Sequence, residues 1–318
     1  MFIGSCNGFF RALDRRTGKV RWEKSVRPDA ASYFFHGDPY VTTDTIVIGA
    51  DTQAEGGVHA FDLATGGERW KVTMGFGVNG PMAGVERRAF AYAPRQGEVV
   101  GFDVDSGEVR WRVPARVPGF EGPAVVRNRV FAGTDDGMLR AMNAETGREE
   151  WNAALGAPVT TSVSAFDDGV YAGLADGTMV RVNPGNGAVL GSLKLDEKLR
   201  PRSVPVRASD SLLVLLTNDA VDYLSLVSID PTLGRVRWRQ AATKSWSTSR
   251  ALVWKNTVIL GTSSGELTGY CVPDGTKAWS HTVRGSVRSI GSSEDALYVT
   301  TSGGSLYALE PPSLCSAK

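Results

Sequence analysis

The sequence predicts an all-β fold: an eight-bladed β-propeller of four-stranded antiparallel blades, with three strands each in the first and last blades. Three observations predict it. A turn motif recurs at intervals of about one blade, a second glycine sits at a fixed offset before that turn, and each interval holds four short runs of alternating apolar residues. The chain of 318 residues carries 37 glycines, a load that suits many tight turns and few helices.

The turn motif reads Ala-x-Asp-x-x-Thr/Ser-Gly, with Trp four residues after the glycine. Its first copy is Ala12, Asp14, Thr17, Gly18 and Trp22, and its second is Ala60, Asp62, Thr65, Gly66 and Trp70. The third has Asp103, Ser106, Gly107 and Trp111, and the fourth has Asn143, Thr146, Gly147 and Trp151. The fifth keeps Asn183 and Gly187 but has Gly191 where Trp is expected. The sixth keeps Asp230, Gly234 and Trp238, and the seventh keeps Gly275 and Trp279 with Cys271 in the Asp position. A half-copy, Tyr307 to Glu310, stops before its turn. Upstream, Gly4, Gly133, Gly173 and Gly261 each precede their turn glycine by 14 residues.

Inside a unit the strand pattern is plain. In the fourth, residues 122–126 read as strand A, 129–133 as B, 138–143 as C and 149–154 as D, with Gly, Asp and Asn at the turns. No stretch shows a helical period. One blade cannot bury both its faces, so the blades pack on one another. The units span approximately 1–27, 28–75, 76–115, 116–156, 157–196, 197–242, 243–283 and 284–318, one domain in all. The first begins at strand B and the last ends after strand C. That register leads us to expect a preceding segment that supplies the closing strands and any export signal.

Each motif residue has a physical role. Asp14, Asp62, Asp103 and Asp230 can accept backbone N–H groups of the following turn. The glycine supplies a positive φ. The tryptophan offers a broad face to pack between blades, and its indole N–H wants an acceptor. Six of the eight tryptophans hold this one position, a distribution that suits a structural element better than a ligand cage.

Bulk properties narrow the function classes. A net charge of +1 does not suit nucleic-acid binding, which needs a basic surplus. No apolar run of 18 residues exists, so no helical membrane span is expected. Cys6, Cys271 and Cys315 are odd in number, with no CxxC and no adjacent pair. They read as small hydrophobes or turn residues rather than a disulfide framework or metal site. His59 takes the strand C position held by Arg11 and Arg140 in other blades, which suggests a structural role. No catalytic elbow, P-loop or dinucleotide fingerprint is present.

Candidate binding residues lie on the D–A connections, which in a propeller lead to the channel mouth. They are His36, Asp38, Asn79, Glu121, Thr161, Arg202, Trp246, Arg250 and Arg288. Arginine forks among them suit a small anion or a peptide carboxylate, although a channel mouth is wet and polar in any case. Longer insertions at 30–35, 51–57, 195–202 and 219–224 add possible contact points.

The repeated Ala-x-Asp-x-x-Thr-Gly-x-x-x-Trp unit resembles the tryptophan-docking repeat of quinoprotein alcohol dehydrogenases and of the wider PQQ-like repeat family. In size and repeat style the chain is similar to BamB-like outer-membrane assembly scaffolds, and to propellers in bacterial sensor or kinase ectodomains. The resemblance implies a periplasmic or extracytoplasmic, monomeric scaffold that binds protein or peptide partners without catalysis and without a cofactor. The alternative it implies is a quinoprotein dehydrogenase using PQQ and Ca²⁺, or a small-ligand sensor. Asp38, Asn79 and Glu121 could offer hard oxygen ligands, but the vicinal cysteines frequent in those enzymes are absent from this sequence.

Overall fold

The computed structural model describes residues 1–5, 8–25, 35–51, 56–75, 77–117, 122–218, 220, 223–241, 243–244, 250–310 and 315. The described residues contain no helix. Their strands form eight antiparallel sheets, the blades of a β-propeller. The chain divides into two compact units, residues 1–168 with 184–187, and residues 169–183 with 188–318.

In the first unit, blade one holds β1 (Phe2–Gly4), β2 (Phe9–Leu13) and β3 (Val20–Ser25). Blade two holds β4 (Tyr40–Val41), β5 (Thr45–Ala50), β6 (Gly57–Asp62) and β7 (Glu68–Thr73). Blade three follows with β8 (Ala83–Val85), β9 (Arg88–Ala93), β10 (Glu98–Asp103) and β11 (Val109–Pro114). Blade four has β12 (Ala124–Val126), β13 (Arg129–Gly133), β14 (Met138–Asn143) and β15 (Glu149–Ala154). Of blade five, β16 (Ser164–Phe166) falls in this unit.

The second unit takes up blade five with β17 (Gly169–Gly173), β18 (Thr178–Val182) and β19 (Val189–Lys194). Blade six is the largest: β20 (Arg200–Pro201), β21 (Val206–Ala208), β22 (Ser211–Thr217), β23 (Tyr223–Ile229), β24 (Val236–Arg239) and β25 (Thr243–Lys244). Its inner and outer strands are each split in two, because β20 and β21 both pair with β22, while β24 and β25 both pair with β23. Blade seven holds β26 (Leu252–Trp254), β27 (Thr257–Gly261), β28 (Glu266–Cys271) and β29 (Lys277–Thr282). Blade eight has β30 (Val287–Ser292), β31 (Leu297–Thr301) and β32 (Leu306–Leu309).

Burial follows strand position. All six residues of β5 are buried, whereas the outer strand β7 alternates exposed and half-buried residues. The middle strands are covered on both faces by neighbouring blades, so they read as continuous apolar runs. Each described C–D hairpin also carries a register shift at one repeat position: Ala12/Leu13, Ala60/Phe61, Gly101/Phe102, Ala141/Met142, Arg181/Val182, Ser228/Ile229 and Gly269/Tyr270. A bulge there re-aims the residues beyond it, and the tryptophan pairs directly with the small residue before it, as Ala60 with Trp70.

The turn chemistry follows the sequence expectation. Asp62 Oδ1 accepts the backbone N–H groups of Ala64 (3.1 Å) and Thr65 (2.9 Å) and the Thr65 hydroxyl (2.9 Å). Asp14, Asp103 and Asn143 do the same. The tryptophan then reaches the next blade. Trp22 Nε1 donates to the Leu63 carbonyl (3.2 Å), Trp70 to Val104 (2.8 Å), Trp111 to Ala144 (3.1 Å), Trp151 to Pro184 (3.2 Å) and Trp238 to Val272 (2.7 Å). In each case the acceptor directly follows the Asp position. The indole lies flat on the turn glycine: a Cβ on Gly107, whose φ is +75°, would sit 2.6 Å from Trp70 Cδ2. Only glycine admits both that conformation and that approach.

Two expectations need correction. Gly234 does not take the positive φ of the other turn glycines; Leu233 does, at 62°. In the sixth turn Thr232 stands one residue earlier than the motif threonine, so the left-handed position falls on the leucine. The cysteines are the second correction, since Cys271 and Cys315 form a disulfide with their Cα atoms 5.4 Å apart. They lie 44 residues apart in sequence, about one repeat, so adjacent blades bring together two residues that show no local spacing. Cys6 lies outside the described residues.

Candidate functional site

The D–A connections of the first unit are built on close backbone contact. A Cβ on Gly37 would fall 2.0 Å from the Gly80 carbonyl oxygen, and one on Gly122 would fall 2.5 Å from that of Pro81. The Asp38 carbonyl accepts the Met82 N–H (2.9 Å), and the Gly122 N–H donates to Ser162 Oγ (3.2 Å). Successive connections are thereby stitched blade to blade, which fixes the candidate residues beside the glycines.

On that frame, His36 and Asp38 are exposed and Asn79 is half-buried. His36 Nδ1 lies 3.8 Å from Asp51 Oδ2. Thr161 is 1% exposed and presents no open surface. In the second unit Arg202, Arg250 and Arg288 are all exposed. Arg202 is held through its own N–H to the Leu215 carbonyl (3.1 Å). Arg288 sits at the register shift between Val287 and Ser289, a place where a bulge turns a side chain outward. Glu121 and Trp246 lie outside the described residues, as do most of the insertions at 30–35, 51–57 and 219–224.

The two units differ in charge. The first holds 19 Lys/Arg against 22 Asp/Glu, a net of −3; the second holds 16 against 12, a net of +4. The exposed arginines of the second unit therefore stand on a surface with a cationic surplus, which favours an acidic partner.

Sequence reasoning missed a set of arginines. The residue just before the docking tryptophan clamps the turn aspartate: Arg21 on Asp14 (3.0 Å), Arg69 on Asp62 (2.7 Å), Arg110 on Asp103 (3.0 Å) and Arg237 on Asp230 (3.4 Å). Arg69 and the turn hydrogen bonds hold the Asp62 carboxyl at about 2. Asp103, despite the opposing effect of burial, is held at about 2 by Ser106 and Arg110. Arg87 reaches Asp44 (2.6 Å) in blade two and Asp105 in blade three, and pulls the Asp44 carboxyl well below the carboxylate range. The signal was visible as an Arg-Trp dipeptide in four copies. His59 is structural as expected: it is 2% exposed, its Nδ1 meets Glu68 Oε2 at 3.1 Å, and its ring stacks on Phe61.

These turns, clamps and docked indoles define a propeller of PQQ-like repeats. The chain belongs to the family described as outer membrane protein assembly factor BamB, whose pattern matches residues 54–221 and 224–313. It is 31% identical over 140 residues to the outer membrane protein assembly factor BamB of Bordetella pertussis, covering 42% of this chain and 36% of that protein. It is 31% identical over 192 residues to the serine/threonine-protein kinase AfsK of Streptomyces griseus, covering 56% of this chain and 23% of the kinase. The chain thus aligns with about a third or less of either relative. Shorter matches of 75 residues at 35% identity reach the quinohemoprotein alcohol dehydrogenase ADH-IIG of Pseudomonas putida, covering 22% of this chain and 10% of that enzyme. Among solved structures, BamB from Moraxella catarrhalis superposes with a TM-score of 0.79 at 17% identity, covering 98% of this chain and 93% of that one. A europium-containing methanol dehydrogenase superposes with a TM-score of 0.74 at 11% identity, covering 97% and 80%.

Proposed function

We propose that this protein is a non-catalytic scaffold that holds a protein or peptide partner through its D–A connections, in the manner of an outer-membrane assembly factor and in an extracytoplasmic compartment. The family match over most of the repeat region carries the reading. The exposed His36 and Asp38, beside the glycine-packed connections of the first unit, and the exposed Arg202, Arg250 and Arg288 of the second support it by offering polar contacts. The Cys271–Cys315 disulfide supports an oxidising compartment. Among the described residues no helix is long and apolar enough to cross a membrane.

The quinoprotein alternative asks for a Ca²⁺ ligand set beside PQQ. Among the described residues no three His, Cys, Asp or Glu side chains gather to hold a metal, and no two cysteines are adjacent in sequence. Two measurements test the proposal. Reconstitution with PQQ and Ca²⁺ should give no dye-linked alcohol oxidation, and cofactor-dependent turnover would overturn the scaffold reading. Cross-linking in the cell envelope should place partner links on residues 36, 38, 202, 250 and 288. Replacing these side chains with alanine should abolish the links while circular dichroism stays unchanged.

A further inference from the structure

One backbone turn closes the B–C hairpin of four blades, and in three of them a hydroxyl locks it. Ser5, Thr134, Thr262 and Thr301 each donate their N–H to the carbonyl four residues on, that of Phe9 (3.0 Å), Met138 (2.9 Å), Glu266 (2.9 Å) and Ser305 (3.0 Å). The first three hydroxyls donate to that same carbonyl, at 2.9, 2.9 and 3.2 Å. The fourth does not. Thr301 is 5% exposed, and its Oγ1 has no hydrogen-bond partner among the described residues. Two positions past the hydroxyl, Asp136 binds that of Thr134 and Ser264 that of Thr262. Asp136 and Asp176 also accept the N–H groups of Met138 (3.3 Å) and Thr178 (3.0 Å). Gly303 holds that position in blade eight.

The Thr301 hydroxyl lies beside the connection from β29 to β30. Thr301 Oγ1 and Ser302 Oγ are 3.4 Å and 3.5 Å from the point where a Cβ on Gly285 would stand, and Gly285 has a φ of +96°. Ser302 Oγ accepts the Ser286 N–H (3.2 Å), while the buried Ser286 Oγ has no partner among the described residues. Close packing fixes this connection: a Cβ on Gly265 would fall 2.3 Å from the Val283 carbonyl oxygen and 2.7 Å from that of Gly285. The exposed Arg284 and Arg288 stand two residues to either side of Ser286. Two buried hydroxyls without partners are costly unless something supplies the partner.

We infer that Arg284, Ser286, Arg288 and Thr301 form a binding site for a carboxylate of a peptide partner. That carboxylate takes the place which Asp136 fills in blade four. It accepts the Thr301 hydroxyl and the Ser305 N–H, as Asp136 accepts those of Thr134 and Met138. The Ser286 hydroxyl donates a third hydrogen bond, and the two guanidinium groups supply the opposite charge. The inference deepens the scaffold reading and rests on it, giving the cationic second unit a specific group to bind. A side-chain carboxylate and a C-terminal one share this chemistry, and the test separates them.

The test follows backbone amide resonances of the isotope-labelled whole chain. Its probes are acetyl-Gly-Asp-Gly-amide, acetyl-Gly-Asn-Gly with a free C-terminus, and the neutral acetyl-Gly-Asn-Gly-amide. At least one acidic peptide should shift residues 284–288 and 301–305 saturably, and the neutral one should not; the stronger acidic peptide identifies the source of the carboxylate. Thr301→Val and Arg288→Ala should each weaken binding at least ~10-fold. Because the hydroxyl has no partner in the free protein, Thr301→Val should leave the urea midpoint unchanged. Gly303→Asp supplies the chain's own carboxylate at a position with no atom within 4 Å of its Cβ site, and should abolish binding while raising the midpoint. No saturation, an equal response to the neutral peptide, shifts elsewhere, a lowered midpoint for Thr301→Val, or unimpaired binding by Thr301→Val or Gly303→Asp would each overturn the inference. Loss of the cross-links at 36, 38, 202 and 250 with carboxylate binding retained would count against the scaffold reading alone, and the converse against this site alone.

Discussion

The Tyr171 hydroxyl donates to the Pro231 carbonyl at 2.8 Å and thereby takes over the hydrogen bond that a docking tryptophan makes elsewhere. Pro231 directly follows Asp230, so its carbonyl holds the position at which Leu63, Val104, Ala144, Pro184 and Val272 accept an indole N–H. In blade five Gly191 stands in the tryptophan position, and Leu233, buried at 4%, lies against it: its Cβ is 4.0 Å from where a Gly191 Cβ would be. Three departures from the repeat, at 171, 191 and 233, are therefore one substitution of a junction. Arg207 steadies it, donating to Tyr171 Oη at 2.8 Å with its guanidinium over the ring.

Tyr171→Phe keeps the ring and removes the buried hydroxyl. Leaving the Pro231 carbonyl and Arg207 short of a partner should cost about 1–3 kcal/mol. Urea unfolding should show this as a lower midpoint at unchanged slope. An unchanged midpoint would mean that the hydroxyl contributes nothing to the junction.

The docking relation predicts unequal costs for one chemical change. Gly18→Ala meets no neighbour and carries only left-handed backbone strain, about 1–2 kcal/mol. Gly107→Ala carries that strain and also drives its methyl into Trp70, adding about 1–3 kcal/mol of overpacking. Equal loss of stability in the two variants would refute a docking role for Trp70 on Gly107.

Acid sensitivity should come in two stages. Burial holds His59 below its ordinary value of 6.5, with Glu68 working against burial. The unfolded chain therefore takes up the proton first, so the His59 contribution is complete above pH 6.5 and declines as pH falls below it. His59→Gln should flatten unfolding midpoints between pH 7 and 5, and Glu68→Gln should steepen them.

Asp62 and Asp103 act at lower pH. Both are depressed to about 2, so their contribution is present above the ordinary aspartate value and is lost between about pH 4 and 2. Asn143 shows that an amide can serve the turn. Asp62→Asn should therefore fold, lose the Arg69 clamp, and show a shallower acid limb than the wild type. An identical acid limb would count against the clamp.

Thiol titration of denatured, non-reduced protein should find one free cysteine of the three, because Cys271 and Cys315 are bonded. Cys315→Ser should lower stability by about 4 kcal/mol on loop-closure entropy for a loop of this length. Three reactive thiols would exclude the bond.

The blades and their turns were legible because Asp14, Gly18 and Trp22 act within a few residues of one another or on the next repeat. What depended on two separate copies was not. The Cys271–Cys315 bond spans adjacent blades with no local spacing to announce it. The exchange of Trp for Tyr171 and Leu233 spreads one structural change over three sites in two repeats. The candidate loop residues were only partly sorted: exposure separates His36 and Arg288 from the buried Thr161, and no spacing in the sequence carries that distinction.

The direction of the indole hydrogen bonds has a bearing on how the chain is made. Trp22, Trp70, Trp111, Trp151 and Trp238 each reach forward, to an acceptor 41, 34, 33, 33 and 34 residues later. On a ribosome, each of these five tryptophans therefore emerges before its acceptor, and the next turn to leave the exit tunnel supplies it. A pause in translation just after one of these tryptophans leaves its indole N–H without that acceptor at the growing end.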